Sequence, residues 1–103
     1  YDPATNTWRI GPPLLRPHSG FGAAVIRNQI VVAGGEIVMN GNETLAAVAV
    51  FDPQTQTWSA APDIPVPLHG LAAATVDDRL YLLGGSSRAG AIENEGRVLV
   101  YVP

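Results

Sequence analysis

The sequence predicts an all-β chain on three observations: a 50-residue unit is written twice, apolar residues fall in short runs bounded by turn residues, and no stretch shows a convincing helical period. The repeat has no gap. Tyr1-Asp2-Pro3-Ala4-Thr5-Asn6-Thr7-Trp8 returns as Phe51-Asp52-Pro53-Gln54-Thr55-Gln56-Thr57-Trp58. Pro12, Pro17 and Gly20 return as Pro62, Pro67 and Gly70, Ala23-Ala24 as Ala73-Ala74, and Gly34-Gly35 as Gly84-Gly85. Val48 and Val50 return as Val98 and Val100, and Tyr101-Val102-Pro103 opens a third copy without its Asp.

Each unit reads as four short strands. Gly20 to Ile26 is small and apolar, Asn28-Gln29 supplies a turn, and Ile30 to Ala33 runs into Gly34-Gly35. These two strands show little polar alternation, as expected where both faces are covered. A polar loop from Glu36 to Thr44 leads to a third strand, Ala46 to Phe51, and Asp52-Pro53-Gln54-Thr55 turns the chain into a short fourth strand holding Trp58. The second unit repeats this with Gly70 to Val76, Leu80 to Leu83 and Gly96 to Tyr101.

The recurring special residues have physical reasons to recur. Gly34-Gly35 and Gly84-Gly85 fit places where backbone passes close to a neighbour or φ is positive. Asp2 and Asp52 precede proline, so their carboxylates can accept from backbone N–H groups two residues on while Pro pre-sets φ. Trp8 and Trp58 are expected to be packing anchors between adjacent sheets, each supplying a large apolar area.

Composition narrows the function. Charged residues make up only 15% and the net charge is −3, which leaves no basic footprint for nucleic acid or an anionic membrane. No apolar run reaches the length of a membrane span. The absence of cysteine removes disulfides, thiolate metal sites and cysteine nucleophiles from these 103 residues, and leaves the compartment undecided. Tyr1-Asp2-Pro3 shows neither an initiator Met nor a signal-peptide pattern, so the sequence is expected to be an excerpt of something longer, or a processed or engineered product.

A repeat of this length, with Gly-Gly after the second strand, an aromatic-Asp-Pro triplet and Trp six residues beyond the Asp, resembles the kelch repeat of β-propellers. The resemblance covers the whole chain. It implies kelch-type propeller blades, with two four-stranded antiparallel sheets' worth of strands forming part of a larger propeller. Residues 1–10 would be the outer strand of a preceding blade, 16–60 a complete repeat, and 66–103 a second repeat lacking its outer strand. In such propellers the terminal strands often complete one blade between them. Two blades do not close a ring, so missing blades of the same chain or a homo-oligomer are expected to cover the exposed faces and edges.

No combination of residues announces catalysis, and no cofactor or metal is expected. His18 and His69 sit one position apart in the repeat register, without a carboxylate or cysteine at ligand spacing. Gly34-Gly35-Glu36 and Gly84-Gly85-Ser86-Ser87 lack the Gly-Lys-Ser/Thr continuation of a phosphate loop. Ser19 beside His18 has no nucleophile-elbow context. In kelch propellers the loops after the second strands and the linkers between blades emerge at one face, where partners commonly bind. That resemblance makes Arg16, His18, Glu36, Asn40, Asn42, His69, Ser86, Ser87, Arg88, Glu93 and Asn94 the candidate contacts. It points to a non-catalytic scaffold for a protein or peptide, with carbohydrate as a second ligand class. The alternatives are part of a carbohydrate-acting kelch enzyme, similar to a sialic-acid epimerase or galactose oxidase, or a purely structural ring-forming piece.

Overall fold

The computed structural model describes residues 1–39, 41–90 and 93–103. Its hairpins begin from two-residue turns. Arg27 and Asn28 both take positive φ, 48° and 63°, and Asp77 and Asp78 take 48° and 59°, the requirement of the primed turn that matches strand twist. The turn therefore falls one residue earlier than the expected Asn28-Gln29. Asn28 tolerates the left-handed region, whereas Arg27 carries no sign of it.

Around the first turn pair β1 (Gly22–Ile26) and β2 (Gln29–Ala33), and around the second β7 (Ala72–Val76) and β8 (Arg79–Leu83). The expected loop from Glu36 to Thr44 contains a small hairpin of β3 (Glu36–Ile37) and β4 (Glu43–Thr44). β5 (Val48–Asp52) starts two residues later than expected, because Ala47 uses its carbonyl to take the Gly34 N–H at 3.0 Å. β6 (Thr57–Ala61) and β9 (Val98–Tyr101) complete the strands, and no helix occurs among the described residues.

All ladders are antiparallel. The first sheet runs β1-β2-β5-β6 and the second β7-β8-β9, each in chain order from β1 and β7 outward. The Asp-Pro turn works as its chemistry requires: Asp52 Oδ1 accepts from Gln54 N at 2.8 Å, and Asp2 Oδ1 from Ala4 N at 2.9 Å.

The sheets pack with β1 beside β7, and Gly70 N donates to Gly20 O at 2.6 Å between them. Ile26, Val31 and Ala33 of the first sheet meet Leu80 and Leu82 of the second, with Leu68 and Leu71 of the linker in the same cluster. Leu68, 1% exposed, is the largest fully buried side chain. Gly34 lies where the linker crosses: a Cβ there would run into the Leu68 carbonyl, and its φ of 69° strains other residues independently.

Neither tryptophan is clamped between two sheets here. Residues 1–10 form no strand among the described residues; an isolated Asp2–Thr7 bridge closes their turn, and Trp8, 82% exposed, lies only against Tyr1 at 5.2 Å. It has no sheet to cover. Trp58 is half-buried rather than clamped between sheets, stacking on Phe51 at 5.0 Å and donating from Nε1 to the Pro12 carbonyl at 3.1 Å. It ties the outer strand to the linker entering its own sheet.

Candidate functional site

Connections leave both sheets at the end opposite the two-residue turns. Each linker pairs with the residue after the paired glycines of its own unit: Ser19 bridges Glu36, and His69 bridges Ser86. Those bridges fix Glu36 and His69 near each other across the sheet boundary. Glu36 Oε1 stands 3.3 Å from His69 Nδ1, and Glu36 Oε2 accepts from Gly90 N at 2.9 Å. His69 Nε2 lies 2.8 Å from the Arg88 carbonyl oxygen. Both ring nitrogens face acceptors, so neither is left for a metal, and no metal-ligating cluster occurs among the described residues.

The other histidine does different work. His18 Nδ1 lies 2.6 Å from the Arg16 carbonyl oxygen, and the ring meets Phe21 edge-on at 5.1 Å. It also fills the space over Gly35, whose Cβ would come within 2.6 Å of the imidazole.

Between the two loop systems lies a polar groove of about 510 Å³, lined by Asn42, Glu43, Thr44, Pro67, Ser87, Arg88 and Ala89. On one wall Arg16 and Glu43 form a bidentate pair at 3.2 and 2.5 Å, both half-exposed. The Arg16 hydrogen bond is the main cause that holds the Glu43 carboxyl below its ordinary range and raises the Arg16 guanidinium. On the other wall Arg88 donates to Glu93 at 3.0 Å; further along the chain, outside the groove lining, Arg97 donates to Glu95 at 2.9 Å. The Glu95 carboxyl is held low by Arg97 first and the Ser87 hydroxyl second. A separate cleft of about 190 Å³ between the sheets is apolar, reaching from Val31 and Val50 to Leu80, Leu99 and Tyr101.

The candidate residues thus divide. Arg16, Asn42, Ser87, Arg88, Glu93 and Asn94 keep surface at this end. Glu36 and His69 are largely spent on each other, at 16% and 12% exposure. Ser86 is not available as a contact, because it is 5% exposed and its Oγ meets the Arg88 backbone at 3.4 Å. Asn40 lies outside the described residues. The groove adds Glu43, Thr44, Pro67 and Ala89, which the sequence reading did not single out; Arg16 and Glu43 stand 27 residues apart, and nothing in the repeat links them.

The sequence profile of the Kelch motif matches residues 17–65. No curated protein matches the sequence. Among solved structures the chain resembles that of YjhT, with a TM-score of 0.63 and 21% identity over 70% of this chain and 22% of that one. The chain spans less than a quarter of that protein's length, and identity this low speaks to the fold alone. The motif match over residues 17–65, the doubled unit and the sheet order together show kelch-type repeat units folded as antiparallel propeller-like blades.

Proposed function

We propose that this chain is the part of a kelch propeller scaffold that binds a protein or peptide through the loop end of its blades. The observation that carries the reading is the polar groove between the two loop systems, walled by the Arg16–Glu43 and Arg88–Glu93 pairs. Its supports are braced from below, since Glu36 holds His69 and the Gly90 N–H of the neighbouring loop. A braced groove loses less conformational freedom on binding than loose loops would. Asn42 and Arg88 supply an amide and a planar guanidinium, groups suited to backbone carbonyls and carboxylates of an extended peptide.

Selection from a random peptide library on the immobilised chain, with a glycan panel in parallel, tests this. The reading expects enriched peptides whose binding falls at least about tenfold in an Asn42→Ala/Arg88→Ala variant, the loss of roughly one buried hot-spot contact. Peptides that bind the variant equally well, or binding confined to glycans, would overturn it.

A further inference from the structure

We propose, resting on the reading of the polar groove as a peptide site, that it selects an extended segment with an acidic and a basic residue an odd number of positions apart. Glu43 takes the basic residue and Arg88 the acidic one. The two walls present opposite charges to the groove. Glu43 and Arg88 line it, whereas their partners Arg16 and Glu93 are not among its lining residues. The repeat sharpens the contrast, since Glu43 and Glu93 are equivalent positions 50 residues apart and each holds an arginine. In the first unit the carboxylate lines the groove, and in the second the arginine does.

Each charge keeps capacity for a ligand. A carboxylate offers about four acceptor sites. Arg16 takes one on each Glu43 oxygen, so both oxygens can still accept. A guanidinium carries about five N–H donors, and Arg88 commits Nη1 to Glu93. The Arg88 side chain is 70% exposed and that of Glu43 54%, so neither has to be uncovered first. Arg16 also holds Glu43 below the ordinary carboxyl range, which keeps that wall anionic at neutral pH.

The separation of the two charges is set by one residue, Glu36. It pairs with Thr44 in the β3–β4 ladder, next to Glu43. Its carboxylate stands 3.3 Å from His69 and accepts from Gly90 N at 2.9 Å, and His69 in turn meets the Arg88 carbonyl at 2.8 Å. Asn42 closes on the same loop, its amide nitrogen 3.2 Å from where a Gly90 Cβ would stand. Both walls therefore hang on Glu36, and a ligand meets two charges at a fixed separation. Successive side chains of an extended segment point to opposite sides. Residues at odd spacing thus reach opposite walls, whereas residues two apart face the same one.

Selection from a random peptide library on the unsubstituted chain, on Glu43→Lys and on Arg88→Glu tests this, with affinities of the enriched peptides measured by fluorescence anisotropy. The unsubstituted chain should enrich one acidic and one basic residue at odd spacing, Glu43→Lys two acidic residues, and Arg88→Glu two basic ones. A peptide selected on the unsubstituted chain should lose at least about fivefold in affinity on either variant, the upper value for an exposed ion pair. Absence of peptide binders, or binders indifferent to Asn42→Ala/Arg88→Ala, would overturn this proposal together with the groove reading. Binders that depend on the groove but carry no such pair, or the same sequences enriched on all three chains, would overturn this proposal alone. Circular dichroism checks each fold. Glu43→Gln or Arg88→Gln replaces a variant that unfolds, with loss of the basic or the acidic residue from the enriched peptides as the expected result.

Discussion

The two sheets are one sequence pattern folded twice, yet equivalent positions meet opposite fates. Ala33 is 1% exposed while Leu83 is 41%, and Leu80 is buried while Ile30 is open. Thr75 faces the core with its hydroxyl enclosed, and its counterpart Val25 faces out. Residue type does not explain this, since the larger apolar side chain is the exposed one in the first and third pairs. The neighbouring sheet explains these pairs, because in each the more buried member lies on the face turned toward the other sheet, and those faces are opposite in repeat register. In a stacked repeat, burial belongs to the interface between units rather than to the unit.

Four expectations would break or sharpen that comparison. The largest concerns Leu68, which sits where the linker meets both sheets: Leu68→Ala should lower unfolding free energy by about 2–5 kcal/mol in urea titrations. Gly34→Ala and Gly84→Ala come next. Both place alanine at positive φ, at about 1–2 kcal/mol. Only Gly34→Ala also meets the Leu68 carbonyl, an overpacking cost of a further 1–3 kcal/mol or so. Equal losses would show that the linker crossing is unimportant.

Thr75→Val should stabilise by about 1 kcal/mol, since it removes a buried hydroxyl with no hydrogen-bond partner among the described residues. A measured loss would show that the hydroxyl is hydrated. The smallest effect is at the groove. Because Glu43 is held below its ordinary value of 4.5, the Arg16–Glu43 pair contributes stability above that pH and loses it as pH falls through the folded value. Carboxyl NMR titration should place the Glu43 midpoint below 4.5, and Arg16→Ala should return it there.

Much of this fold was legible because its signals are local. The doubled unit, the paired glycines and the Asp-Pro turns each act over a few residues, and they fixed strand order and most strand bounds. What depended on distant neighbours was not legible. Trp8 and Trp58 occupy the same repeat position, yet one is bare and the other is tied to Pro12. Ser86 reads as a surface loop residue and is buried by its bridge to the His69 linker. At the candidate site the expected Glu36 to Thr44 loop holds a small hairpin, and the Glu36–His69 brace and the Arg16–Glu43 wall join residues 33 and 27 positions apart. No periodicity announces such pairs.

Thermal melting of four single variants, Ala33→Glu, Leu83→Glu, Ile30→Glu and Leu80→Glu, tests the central claim most directly. A carboxylate forced into the sheet boundary loses hydration without gaining a partner, a cost of several kcal/mol. The account predicts that Ala33→Glu and Leu80→Glu abolish the cooperative transition while Leu83→Glu and Ile30→Glu keep it. The same outcome for both members of either repeat pair would contradict it.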